Sequence, residues 1–150
     1  MKFKTTSVLS LLFVCLSLAF APRATANTLI FNGDLCSEAN GEFVRLDVSV
    51  ENFEEIASFQ FTLQWDANVL QFLSTGQFNL PYFSDNNIGF SLTPDGKLMF
   101  AWFDNETKGL TYDDGTQIFS LYFKKLSDAD PAFQIPNYPT PAEVVANVGG

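Results

Sequence analysis

The sequence predicts an all-β fold, a two-sheet β-sandwich of about eight or nine mostly antiparallel strands, with no long helix. Three observations predict it. First, residues 42–72 read EFVRLDVSVENFEEIASFQFTLQWDANVLQF, in which Val44, Leu46, Val48 and Val50 alternate with Arg45, Asp47 and Ser49, and Ala57, Phe59, Phe61, Leu63 and Trp65 alternate with Ser58, Gln60, Thr62 and Gln64. Alternation of period two sends one set of side chains to a core face and the other set outward. Two successive strands, each apolar on one side, require an antiparallel sheet packed against a second sheet. Second, short apolar segments separated by Gly, Pro, Asn and Asp recur to the end of the chain, as in sandwiches. Third, of 17 Phe, 4 Tyr and 2 Trp, only three Phe lie in residues 1–26, and the 20 aromatics that remain supply a large core without disulfide staples.

The first 26 residues read as a leader. Lys2 and Lys4 precede an apolar run at residues 8–20 (VLSLLFVCLSLAF), too short for a comfortable membrane span, and Ala24-Thr25-Ala26 follows with small-x-small character. This pattern predicts a secretory signal peptide over residues 1–26, cut after Ala26, and a single exported domain over residues 27–150. The localisation that follows is secreted, extracellular or cell-surface, with no membrane insertion after cleavage.

The elements then follow in order. Residues 27–31 (NTLIF) form a first strand, closed by a turn at Asn32-Gly33-Asp34. Residues 43–50 form the second strand and residues 51–55 an acidic connection. Residues 57–65 are the third strand. One helical turn follows at residues 66–70, N-capped by Asp66, and the chain resumes extended over residues 71–74. Residues 78–87 hold Asn, Asp, Ser and Pro and read as loop. Residues 88–92 are a short strand. Thr93-Pro94-Asp95-Gly96 is a β-turn, with Pro and Gly where turns favour them. Residues 97–103 are a strand, 104–113 a polar loop, Asp114-Gly115 a tight turn and 116–124 a strand. Residues 126–130 are loop, 132–135 a weak strand, 136–141 a Pro-rich connector and 143–146 a final edge strand.

Charge and composition exclude several function classes. The formal net charge is −9, and loss of Lys2, Lys4 and Arg23 with the leader would make the mature chain more acidic still. Such a surface repels nucleic acid and anionic lipid. There is no histidine, so Ser-His-Asp and Cys-His arrangements cannot exist. No Asp or Glu lies in an apolar context that would raise its pKa for acid–base work. No catalytic residue is assigned, and the chain reads as a binding module, not an enzyme. With Cys15 in the leader, Cys36 is the single mature cysteine and is expected to be buried as a small hydrophobe. Asp104, Asn105, Glu106, Asp113 and Asp114 gather around one loop and offer oxygens of the kind Ca²⁺ takes, but their spacing fits no EF-hand. They read as solvated charge, with no metal site and no cofactor assigned beyond that structural Ca²⁺ option. Asn105-Glu106-Thr107 matches an N-glycosylation sequon, a short pattern that chance often supplies.

Residues 98–103 (LMFAWF) are apolar without interruption. Either both faces of this strand are covered, or one face presents Phe100 and Trp102 to water as a partner patch or a sugar-stacking platform.

Three segments together resemble the cohesin domain family. Residues 55–72 (EIASFQFTLQWDANVLQF) are similar to that family's strand running into an aromatic-Asp-Pro-x-Val-Leu-x-Phe turn, with Ala67 where the family usually has Pro. Residues 94–104 (PDGKLMFAWFD) and 114–124 (DGTQIFSLYFK) are similar to two later strands, in the same order. The resemblance covers residues 43–124. It implies a jelly-roll sandwich and a non-catalytic module that attaches a dockerin-type protein in extracellular polysaccharide-degrading or cell-surface assemblies. The fold is shared with carbohydrate-binding modules, so direct binding of polysaccharide is the alternative. Carried onto this sequence, the family's partner face falls on Ser58, Gln60 and Thr62 of one strand and on Phe100, Trp102 and Asn105 of the other. The family often has Asn and Asp where Ser58 and Gln60 stand, and an acidic residue where Asn105 stands. In the alternative, Phe100, Trp102 and Tyr122 would stack on sugar rings.

Overall fold

The structure is a computed structural model and describes residues 28–38 and 41–147. The proposed signal peptide therefore lies outside the described residues. Ten strands follow in chain order: β1 (Ile30–Ser37), β2 (Phe43–Glu51), β3 (Phe53–Trp65), β4 (Leu70–Gly76), β5 (Ile88–Gly89), β6 (Lys97–Phe103), β7 (Leu110–Tyr112), β8 (Thr116–Lys125), β9 (Phe133–Gln134) and β10 (Glu143–Ala146). The first sheet has the order β1-β2-β8-β4 and the second β10-β3-β6-β5, with β7 and β9 also pairing β3. Every pairing is antiparallel.

The inner faces are the apolar sets that the alternation marks. Val44, Leu46, Val48 and Val50 from β2 meet Phe59, Phe61, Leu63 and Trp65 from β3, and all are buried. Ile118, Phe119, Leu121 and Phe123 of β8 are fully buried in the same core. Rings interlock across it: Phe61 stacks on Phe100 with centroids 4.8 Å apart, and Phe100 stacks on Phe119 at 5.0 Å. Each large apolar side chain withdrawn from water contributes roughly 1.5–3 kcal/mol, which makes this interlayer the main stabiliser.

Several local expectations are corrected. Asn32-Gly33-Asp34 is not a turn. β1 runs straight through it, paired with β2 from Ile30↔Glu51 to Ser37↔Val44. Long-range pairing overrides a local turn propensity, and Gly33 suits the site because a Cβ there would lie 2.8 Å from Leu46 Cδ1. Cys36 is exposed, not buried, because β1 is an edge strand. The acidic connection shrinks to a tight turn at Asn52 (φ 57°), and β3 begins at Phe53. The loop after β6 contains one additional short strand, β7.

The other turn readings hold in detail. Asp66 caps its turn, with its Oδ1 accepting from Asn68 N at 2.8 Å and its carbonyl accepting from Leu70 N at 3.0 Å. Gly96 sits at φ 70°, where a Cβ would fall 2.2 Å from the Trp65 carbonyl oxygen. Its own carbonyl accepts from Trp65 N at 2.9 Å, so this glycine fastens the entry of β6 to the end of β3. At the far end of the sandwich, Asn52 Nδ2 donates to the Thr28 carbonyl at 3.0 Å, and Asn147 N donates to the Glu55 carbonyl at 2.8 Å. Both limits of the described chain are thereby tied to the β2–β3 turn.

Candidate functional site

The outer face of the second sheet follows from its register. Val145, Ser58 and Phe103 stand opposite one another across β10, β3 and β6. Glu143, Gln60 and Ala101 form the next row, and Gln60 Nε2 donates to Glu143 Oε2 at 3.1 Å. Phe103 is 61% exposed and Val145 is 55% exposed, two large apolar side chains standing in water on either side of a serine. A shallow groove of about 200 Å³ lies between them, lined by Ser58, Gln60, Ala101 and Glu143 among others. Asn105 is exposed in the loop that leaves β6.

Thr62 belongs to the same outward set by parity but is fully buried. The connector between β9 and β10 crosses it: Thr62 Oγ1 donates to the Thr140 carbonyl at 2.9 Å, and Thr140 N donates back to Thr62 Oγ1 at 3.0 Å. In the same connector, Tyr138 lies over the Lys97 ammonium, which is 5.6 Å from the ring centroid. The open part of the face is therefore the Ser58–Phe103 end.

Phe100 and Trp102 are corrected by the register. They stand opposite Phe61 and Phe59, whose side chains point into the core, and pleating gives opposed residues the same face. Both are buried, at 1% and 2% exposure, and Trp102 Nε1 donates to the Pro81 carbonyl at 2.8 Å. Neither is available to a partner or a sugar. Tyr122 lies on β8, in the other sheet, so the three expected stacking residues do not form one platform. The residue that sequence reasoning missed is Phe103. An unbroken apolar run carries no phase, and only pairing with β3 shows which half of it faces outward.

The acidic loop also divides. Asp104 is buried and acts as an internal clamp: its Oδ1 accepts from Glu106 N at 3.0 Å, and its Oδ2 from Lys108 N at 2.9 Å and Gly109 N at 3.0 Å. Donation from Glu106 N, and then from Lys108 N and Gly109 N, holds its carboxyl below the usual carboxylate range, against the burial that pushes it up. Asp114 works elsewhere, accepting from Asn52 N at 2.8 Å and steadying the β2–β3 turn. Among the described residues no group of three or more His, Cys, Asp or Glu is arranged to hold a metal ion. Among them, too, no helix is long and apolar enough to cross a membrane.

The outer face of the first sheet carries a polar network centred on Asp47, which the sequence reading passed over. Asp47 Oδ2 accepts from Arg45 Nη2 at 2.8 Å, and its Oδ1 accepts from Ser120 Oγ at 2.6 Å. Burial pushes this carboxyl up, but hydrogen bonds from Arg45 and Ser120, with the charge of Arg45, outweigh that and hold it down.

Comparison with known proteins agrees with this architecture. The solved structures that share it include a cohesin from a type I cohesin–dockerin complex of Clostridium thermocellum, 12% identical, with a TM-score of 0.61 over 81% of this chain and 88% of that one. A cohesin from Clostridium acetobutylicum, solved in solution, is 16% identical, with a TM-score of 0.60 over 79% of each chain. The second type II cohesin module of the ScaA adaptor scaffoldin of Acetivibrio cellulolyticus is 15% identical, with a TM-score of 0.57 over 81% of this chain and 80% of that one. At these identities the likeness is one of fold. No curated protein matches the chain at a significant level. The family model of the cohesin domain matches residues 34–136, well over half of the sequence. The chain belongs to the cohesin domain family, whose members are non-catalytic binding modules.

Proposed function

We propose that the chain is an exported docking module that holds a dockerin-type protein on the outer face of β3, β6 and β10, within an extracellular polysaccharide-degrading or cell-surface assembly. The observation that carries this reading is the Val145–Ser58–Phe103 row, in which two large apolar side chains stand exposed beside hydrogen-bonding groups. An apolar anchor ringed by polar groups is the usual anatomy of a protein–protein contact. Ser58 and Gln60 supply polar contacts beside the anchor, and Asn105 extends them beyond β6. Thr62 supports the face from beneath the Thr140 crossing. The reading is supported by family membership and by structural neighbours solved as cohesin–dockerin complexes. The signal-peptide pattern of residues 1–26 supports export.

The test is calorimetric titration with the dockerin modules of the host organism, with and without Ca²⁺. Binding is expected, and Phe103→Ala should weaken it by about 2 kcal/mol or more, the scale of an interfacial hot spot. Absence of binding to every such module, or affinity untouched by Phe103→Ala, would overturn it.

A further inference from the structure

We propose that the outer face of the first sheet carries a second binding site, a groove for a neutral oligosaccharide centred on Tyr122 and Arg45. It lies on the sheet opposite the docking face and does not depend on that reading. Register sets Cys36, Arg45, Tyr122 and Ser74 in one row across all four strands. A groove of about 460 Å³ runs beside this row, bounded also by Phe43 and by Leu73, which is 46% exposed. That volume falls in the roughly 300–1,000 Å³ range of small-molecule sites.

The groove is built before any ligand arrives. Arg45 is pinned by its ion pair with Asp47 at 2.8 Å, and Asp47 in turn by Ser120. Gln77 Nε2 donates to Tyr122 Oη at 3.3 Å, and Gln117 Nε2 donates to Gln77 Oε1 at 2.8 Å. Gly76 gives the Tyr122 ring its place, since a Cβ there would come 3.1 Å from Cε2. Side chains fixed in this way lose little further entropy on binding. Arg45 also keeps donor capacity in hand, because its side chain is 39% exposed beyond its ion pair.

The chemistry selects the ligand. A pyranose has an apolar C–H surface and a rim of hydroxyls. Tyr122, Phe43 and Leu73 offer apolar contact, and Arg45 and Ser74 offer hydrogen bonds at its edge. With 17 acidic residues against 8 basic, the chain favours a neutral glycan over an anionic one.

The test is native electrophoresis of the full chain in gels containing β-glucan, galactomannan or arabinoxylan, one polysaccharide per gel. At least one is expected to retard the protein. Tyr122→Ala should weaken retardation about tenfold or more, the loss of one good contact, while Tyr122→Phe retains it. Leu73→Glu, a change at an exposed position, should weaken it as well and stands in if Tyr122→Ala fails to fold. Phe103→Ala should leave retardation unchanged, so the docking reading and this one can fail separately. Migration unaltered by all three polysaccharides, or retardation that survives both Tyr122→Ala and Leu73→Glu in folded protein, overturns the proposal.

Discussion

The carboxylate of Asp104 collects three backbone N–H groups from the loop that follows β6, and in doing so it sets where Asn105 is displayed. Because the folded state lowers the pKa of Asp104, its contribution to stability is fully present above the unfolded value of about 3.9 and is lost as pH falls through the folded value. Asp104→Asn removes this linkage. Urea midpoints measured between about pH 5 and about pH 3 should fall less steeply for the variant than for the parent, and equal slopes would reject the clamp. Trp102 and Phe103 show how far a single position matters. They are adjacent in sequence, yet one is buried beside Phe59 and the other is 61% exposed on the proposed docking face.

At the scale of elements, β3 organises the second sheet. β6 and β7 run along one edge of it, and β9 and β10 along the other. Gly96 fixes the first of those pairings, and its φ of 70° leaves no room for a side chain. Gly96→Ala should therefore cost about 1–3 kcal/mol in strain alone, read as a lower urea midpoint by tryptophan fluorescence with the slope of the transition unchanged. Elements with a strict period were legible in the sequence. β2, the body of β3 and the final strand at Glu143–Ala146 fall where alternation and turn chemistry place them. Elements whose position depends on a distant partner were not. β1 crosses a local turn signal because eight residues of β2 pair with it. The phase of β6 was hidden by six apolar residues in succession, and with it the identity of the outward side chains. Thr62 obeys its parity and is still buried, because a segment nearly eighty residues away crosses over it.

The described residues share one core between two sheets. Trp65 packs on Phe123 of the first sheet with centroids 5.2 Å apart, while Trp102 stacks on Phe59 at 5.4 Å further along the sandwich. The two indoles report on different regions of a single interlayer. Trp65→Phe and Trp102→Phe leave one reporter each, and each variant should show fluorescence and circular-dichroism unfolding curves with the same midpoint, as a cooperative domain requires. A reporter transition displaced from the circular-dichroism transition would show that the sheets separate in stages.

The anchoring of Thr28 and Asn147 to one turn has a mechanical meaning. Both limits of the described chain lie at one end of the sandwich, so a tension applied between them is borne at that end first and not along the length of the strands. The turns around Asp66 and Gly96 stand at the other end of β3, away from both limits.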